Sequence, residues 1–394
     1  MYKVSVVGVG KAGLPLAAVI AESGLQVLGV GRNEKRIEKL NTGYNPIPEE
    51  TGLADLLKKN VPQNLTFTAN PKEASKISNV HIIIVPLFIR EDKVPDFSNI
   101  TEATEKIAVG IKKNDIVVLE TTVPIGTTGS LVKNILEKKS GLKAGIDFHL
   151  AFSPERMMTG YAISRYKEVP KIVGGINREA TEKVADFYRH FCSTVIEVSS
   201  MEAAEMTKIS EGVYRDVNIA LANELLKIAG KNNLDFWEVQ AAAQTPACHL
   251  HEPGNVGGHC IPVYPWFLIN SYETPLIKTA RNLNDEMIQY YRSKVEAIAK
   301  PPSKVLVVGI SFREGVKETA YTRSIPFIKL LLDLGYNVTV YDPLYSPKEI
   351  EEFGFLPGED FEKADCIVVL NKYPTLNEKL NTYLGKTIFI KKNS

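Results

Sequence analysis

The sequence predicts an α/β protein made of two Rossmann-like, doubly wound domains joined by a long central helix and a small helical domain. Three observations carry this expectation. Strand-like apolar runs alternate with helical stretches near both ends of the chain. A glycine-punctuated turn follows the first such run, and a proline-free stretch from about 202 to 232 replaces the alternation with one uninterrupted helical period.

The first element is Val4-Ser5-Val6-Val7, an apolar run with the length of a buried strand. Gly8-Val9-Gly10-Lys11-Ala12-Gly13 follows at once, and Leu14 to Ser23 is apolar enough to be the helix beyond it. Strand, glycine turn and helix in this order make a dinucleotide-binding fingerprint. Gly8 allows the tight turn, Gly10 lets a pyrophosphate reach the backbone and the helix N-terminus, and Gly13 lets the helix pack closely on the strand. Lys11 and Ala12 lie in the same loop and complete the expected cofactor contacts.

The next strand, Gln26 to Val30, ends in Gly31-Arg32-Asn33 where a ribose-binding carboxylate is expected. Two readings follow. Without the carboxylate nothing repels a 2′-phosphate, and Arg32 pairs with it; alternatively Arg32 points into solvent, and Asn33 or a backbone group holds the ribose. NAD and NADP therefore both stand as cofactors at this point.

Further strands are expected at 81–85, 115–119 and 171–174, giving a mostly parallel sheet and a first domain over 1–199. A central domain over 200–300 opens with the long helix. Along that helix Val213, Val217, Leu221, Leu225 and Ile228 form an apolar stripe, which can link domains and also pair with a copy of itself, so a homodimer or higher homo-oligomer is expected. Pro301-Pro302 marks the next boundary. Over 301–394, strands at 304–308, 337–340, 366–370 and 387–390 and a helix at 325–334 repeat the α/β layout. Gly309-Ile310-Ser311-Phe312-Arg313 stands in place of a glycine fingerprint, so a different ligand is expected there.

Bulk properties narrow the function classes. With 47 basic and 46 acidic residues in 394, the formal charge of +1 gives no basis for binding nucleic acid or an anionic membrane. The longest apolar run, His81 to Ile89, is broken by Pro86 and is too short to span a bilayer. The chain enters a strand with no signal-peptide pattern, and four scattered cysteines make no disulfide framework; the expected compartment is the cytoplasm.

Gly257-Gly258-His259-Cys260-Ile261-Pro262 is the most chemically informative segment. An isolated cysteine is most often a small buried hydrophobe. Here two glycines permit close approach of backbone or ligand, Pro262 stiffens the turn, and His259 can favour the thiolate, the reactive form. Cys248, His249, His251, His259 and Cys260 also invite a zinc reading, but their spacing fits no standard finger, and no metal is expected.

This segment, together with ETTVPIGTT at 120–128, FSPER at 152–156, YRDVNIALANE at 214–224 and VYDPLY at 340–345, resembles the nucleotide-sugar 6-dehydrogenases, the family of the UDP-glucose and GDP-mannose enzymes. The resemblance covers essentially the whole chain in order. It implies a four-electron oxidation of a sugar C6 alcohol to a uronate, using NAD. Histidine before the cysteine, SPER and YRDVNIALANE resemble the branch acting on UDP-N-acetylhexosamines, above all UDP-N-acetylmannosamine. UDP-N-acetylglucosamine or UDP-glucose oxidation, and a non-catalytic nucleotide-sugar-binding paralogue, are the alternatives.

Roles follow by resemblance. Cys260 is the nucleophile that forms a thiohemiacetal and then a thioester. Lys208 stabilises the oxyanion, unless it is an ordinary solvated helix lysine. Glu155 activates the hydrolytic water, and Thr122 positions water or a carboxylate; Pro86 and Thr122 also border the cofactor. Arg156, Arg215, Asn218, Gly257, His259, Phe312 and Arg313 join Glu155 and Lys208 as expected substrate contacts. Arg281 and Arg323 suit a diphosphate or uronate through bidentate hydrogen bonds, or else form structural ion pairs.

Four positions depart from the family pattern. Gly31 replaces the ribose-binding aspartate, and Val85-Pro86-Leu87-Phe88 lacks the usual threonine-proline pair after its first proline. Gly212 replaces an asparagine four residues after the lysine, and Tyr264 replaces an aspartate four residues after the cysteine. The space at Gly212 is expected to admit a water, beside a helix face on which Lys208 and Arg215 present cations.

Overall fold

The structure, a computed structural model, describes residues 2–158 and 160–391. Its contacts divide the chain inside the helix Met201–Lys231, between residues 210 and 211.

Among the described residues, the first unit is an eight-stranded sheet. Its order is Val195–Glu197, Lys171–Gly175, His149–Phe152, Ile116–Leu119, Val80–Ile83, Lys3–Val7, Gln26–Val30 and Leu65–Thr68. Neighbours run parallel except His149–Phe152 against Lys171–Gly175. The central strands Val80–Ile83 and Ile116–Leu119 are buried at every position, as expected for β-branched runs covered by helices on both faces. Lys3–Val7 pairs with Gln26–Val30 on one side and Val80–Ile83 on the other. Chain order reverses there, which makes its carboxyl end a topological switch point, the place where ligands bind in open α/β sheets.

The strands expected at 81–85, 115–119 and 171–174 are present as Val80–Ile83, Ile116–Leu119 and Lys171–Gly175. Leu65–Thr68, His149–Phe152 and Val195–Glu197 complete the sheet beyond those expectations. Each has four residues or fewer, too short a window to show a period.

In the second unit a four-stranded parallel sheet runs in the order Asn337–Tyr341, Lys304–Val308, Cys366–Val369, Thr387–Phe389. The helices Ser324–Asp333 and Pro275–Ile298 contribute Phe327, Ile328, Leu331, Met287 and Tyr291 to its core. All four strands and the helix expected here are observed. On the 31-residue helix Met201–Lys231 the exposed large apolar side chains are Met206, Tyr214, Leu221 and Ile228, while Val213, Val217 and Leu225 are half-buried.

Candidate active site

The glycine turn has the shape that each of its residues was expected to give it. Gly8 has φ +112°, and a side chain there would overlap the Ile84 carbonyl. A Cβ on Gly13 would overlap the carbonyl of Gly8, so the helix Gly13–Glu22 sits as close to the turn as a backbone can. A Cβ on Gly10 would meet nothing within 4 Å, which leaves the opening a pyrophosphate needs. Lys11 is exposed and Ala12 half-buried at the start of the helix. The exposed Pro86 offers its carbonyl to Asn99 Nδ2 at 3.2 Å. These residues fit a dinucleotide.

Thr122 and Glu155 each come three residues after a strand, and the two strands, Ile116–Leu119 and His149–Phe152, are parallel neighbours. Both side chains therefore belong to the ligand-binding edge of the sheet. Thr122 is buried, and its neighbour Thr121 donates to the Val85 carbonyl at 2.5 Å. Glu155 is held through its backbone N–H to the Glu120 carbonyl at 3.1 Å. Burial raises the Glu155 carboxyl above its ordinary value, and the ammonium groups of Lys208 and Lys171 pull against that rise. Lys208 itself is only 8% exposed, which rules out the solvated-lysine reading. Arg156 is half-buried and anchors Nη1 on the Pro170 carbonyl at 2.7 Å.

Beneath this edge lies a polar network that the linear sequence did not reveal. Lys171 Nζ stands 2.8 Å from Glu120 Oε2 and donates to the Pro154 carbonyl at 3.2 Å, while Tyr188 donates its hydroxyl to Glu120 Oε1 at 2.5 Å. Glu120 and Lys171 are both buried, so the pair fixes the segment that carries Glu155. Glu205, on the long helix, accepts from Thr128 N at 2.9 Å, Thr128 Oγ1 at 2.7 Å and Gly126 N at 2.5 Å. Burial pushes its carboxyl up to about 7.

The thiol loop belongs to the second unit. Cys260 and Cys248 are exposed, whereas Cys192 and Cys366 are buried and pushed up to about 12, which keeps them as thiols. Gly258 has φ +88°, and its N–H donates to the Ala320 carbonyl at 2.8 Å. A Cβ on Gly257 would stand 2.7 Å from Phe312 Cβ, and one on Gly258 would stand 2.8 Å from Phe312 Cε2. The glycine pair thus lets the loop lie flat on the Phe312 ring. His259 Nε2 meets Glu318 Oε1 at 2.6 Å, so the imidazole next to Cys260 is oriented by a carboxylate. The Cys260 carbonyl accepts from Val263 N at 3.1 Å and Tyr264 N at 3.0 Å, starting the short helix Tyr264–Ile269.

Two expectations are corrected here. No water-sized gap stands beside Gly212, because the Tyr264 ring fills it. Arg281 is fully buried, paired with Asp216 Oδ1 and, at 3.3 Å, with Asp285 Oδ1, which gives it the structural role. Arg323 donates Nη2 to the Asp285 carbonyl at 2.7 Å and remains partly exposed. Arg215 is exposed, Asn218 donates to the Tyr214 carbonyl at 2.7 Å, and Arg313 lies 6.0 Å from the Phe312 ring centroid. The rings of His249 and His251 pack on each other at 4.7 Å, and among the described residues no group of three or more potential ligands could hold a metal.

A glycine turn at the switch point of a mostly parallel sheet, with an acid at the ligand edge of that sheet, defines a dinucleotide-binding protein. Comparison with known proteins gives the family. Residues 2–192, 202–286 and 306–391 match the NAD binding, central and UDP binding domains of the UDP-glucose/GDP-mannose dehydrogenase family. Among similar proteins, the UDP-N-acetyl-D-mannosamine dehydrogenase of Methanococcus maripaludis is 33% identical over 383 residues, covering 94% of this chain and 86% of that one. The UDP-N-acetyl-D-glucosamine 6-dehydrogenase of Pseudomonas aeruginosa is 35% identical over 369 residues, covering 90% and 86%. The solved UDP-D-ManNAc dehydrogenase of Pyrococcus horikoshii superposes with a TM-score of 0.88 at 28% identity, covering 99% of this chain and 95% of the other. The chain belongs to the UDP-glucose/GDP-mannose dehydrogenase family and is a nucleotide-sugar dehydrogenase.

Proposed function

We propose that the chain oxidises C6 of a UDP-N-acetylhexosamine, UDP-N-acetylmannosamine before UDP-N-acetylglucosamine, to the uronate. The observation that carries this reading is Cys260, exposed on a loop shaped by Gly257 and Gly258 and flanked by an oriented imidazole. The names of relatives at 33% and 35% identity support the substrate class. Gly8, Gly10, Lys11, Ala12, Gly13, Pro86 and Thr122 hold the dinucleotide, which when bound supplies the hydride acceptor for both oxidations.

The chain's own residues do the rest. An aldehyde gives up hydride poorly until a nucleophile adds, so the Cys260 thiolate bonds to the aldehyde carbon and gives a thiohemiacetal; oxidation of that carbon leaves a thioester. Lys208 balances the negative charge on the carbonyl oxygen at the tetrahedral stages. Thr122 positions the hydrolytic water, and Glu155 takes its proton as the hydroxide adds and Cys260 leaves as thiolate. A carboxylate raised by burial is a stronger base toward that water than an ordinary one. Arg156, Arg215, Asn218, His259, Phe312, Arg313 and Arg323 are the proposed substrate contacts.

The working form is a homodimer paired through the exposed stripe Tyr214, Leu221, Ile228, in the cytoplasm, where nucleotide sugars and nicotinamide cofactors are available. No described helix is long and apolar enough to cross a membrane. The deciding experiment follows nicotinamide absorbance with a panel of UDP- and GDP-sugars. Turnover with UDP-N-acetylmannosamine, two reduced cofactors appearing per uronate, is the expected result. Preference for a UDP- or GDP-hexose overturns the substrate, and binding of every sugar in the panel without turnover overturns the proposed oxidation.

A further inference from the structure

The carboxyl end of the strand Gln26–Val30 is where this fold receives the adenosine ribose of a dinucleotide. An acidic side chain there accepts the ribose hydroxyls of NAD and repels a 2′-phosphate. In this chain the position is Gly31, and the vacancy is built in: a Cβ on Gly31 would stand 2.9 Å from Val9 Cγ2 and 3.0 Å from Ile37 Cδ1. No carboxylate can be carried on that residue unless Val9 or Ile37 gives way. Asn33 does not replace it as the acceptor, because its Oδ1 caps the helix Glu34–Leu40 by accepting from Arg36 N at 3.0 Å.

Two guanidinium groups flank the same strand end. Arg36 is exposed and donates Nη2 to the Val9 carbonyl at 3.2 Å, which fixes it at the rim of the glycine turn. Arg32 reaches the other way. Its Nη1 lies 3.3 Å from Asn99 Oδ1 and 3.6 Å from Glu102 Oε2, with the side chain 71% exposed. So long and open an ion pair holds little. Glu102 already has Lys106 Nζ at 2.5 Å, so its charge stays balanced when Arg32 turns away.

We propose that this strand end is a 2′-phosphate site in which Arg32 and Arg36 hold the phosphate, so that NADP serves this chain alongside NAD. Phosphate is the ligand whose geometry planar guanidinium groups match by paired hydrogen bonds. The inference rests on the dinucleotide-dependent reading above and adds the choice of cofactor to it. It also turns the absence of the acid from a defect into half of a site.

The test needs no sugar substrate. Calorimetric titration of the full-length protein with adenosine 2′,5′-bisphosphate and with adenosine 5′-monophosphate isolates the 2′-phosphate, and NADP and NAD are then compared in the same way. The bisphosphate should bind at least tenfold more tightly than the monophosphate. Arg32→Ala should cut that advantage below threefold while changing NAD binding less than threefold. Arg36→Gln, which keeps a donor for the Val9 carbonyl, should reduce it in the same direction. Equal or weaker binding of the bisphosphate, or an advantage that survives both substitutions, overturns the proposal. A protein that binds NAD alone would discard the 2′-phosphate site and leave the oxidoreductase reading intact.

Discussion

Tyr264 and Gly212 share one volume. A Cβ on Gly212 would lie 3.2 Å from Tyr264 Cγ, 3.3 Å from Tyr264 Cβ and closer still to Cδ2, so the ring occupies the space that a side chain on the long helix would need. Tyr264 is buried, donates its backbone N–H to the Cys260 carbonyl and packs its ring 5.8 Å from Phe267. The two residues are thus one structural arrangement: a bulky side chain four residues after the cysteine fits because its partner has none. The contact wedges the thiol loop against the helix.

The sign of a single substitution tests this. In an open helix Gly→Ala stabilises by about 1 kcal/mol. At Gly212 the added methyl must displace the Tyr264 ring, an overpacking cost of ~1–3 kcal/mol. Gly212→Ala should therefore lower the melting temperature and kcat together, whereas Gly212→Ala combined with Tyr264→Ala should recover part of both. A double-mutant cycle on urea midpoints should give a coupling of about 1 kcal/mol or more; additive effects would mean that the ring moves aside freely.

The thioester route makes separable predictions for its two halves. Cys260→Ala should abolish uronate formation and leave dinucleotide binding intact. Glu155→Gln should still form the thioester but release it slowly, giving a burst of two reduced cofactors per chain and an adduct on Cys260 detectable by mass spectrometry. Steady turnover by the glutamine variant at the wild-type rate would remove Glu155 from hydrolysis. Lys208→Ala should lower kcat by on the order of 10²-fold. Because the Lys208 ammonium pulls the Glu155 carboxyl down, its loss should also move the acidic limb of the pH–rate profile to higher pH.

The glycine turn, the long helix and the exposed glycine-rich loop that carries Cys260 were legible because each is local and written in consecutive residues. Arg281 was not, because a substrate arginine and a buried structural one look alike until Asp216 is placed against it. Glu205 reads in sequence as one more helix carboxylate, since its donors Gly126 and Thr128 lie more than 75 residues away along the chain. Arg36 was likewise missed, having only the Val9 carbonyl to mark it. Of the stripe expected at Val213, Val217, Leu221, Leu225 and Ile228, Leu221 and Ile228 are exposed, and Tyr214 joins them on the same side of the helix.

That line supplies a prediction about assembly. Positions 214, 221 and 228 repeat every seventh residue and so lie on one side of the helix, each about half exposed. If a second copy covers them, Leu221→Glu places a carboxylate in an apolar seam and should convert the dimer to monomer in sedimentation, with the far-ultraviolet circular dichroism unchanged. Dimers that persist at micromolar concentration would place the interface elsewhere.

Glu205 links stability to pH. Its carboxyl is held at about 7 in the folded chain against an ordinary value of 4.5, chiefly by burial, with the hydrogen bonds from Thr128 and Gly126 pulling the other way. The folded state therefore binds a proton that the unfolded state has already released across that interval. Stability from this group is fully present below about 4.5 and is lost as pH rises through about 7. Glu205→Gln removes the titration while keeping an acceptor for Thr128. Relative to that variant, the wild type should lose about 1–3 kcal/mol of unfolding free energy between pH 4.5 and pH 7.5. Urea unfolding of both proteins at three pH values across the interval measures the difference. Parallel curves would mean that Glu205 stays ionised throughout, its three hydrogen bonds outweighing the cost of burying the charge.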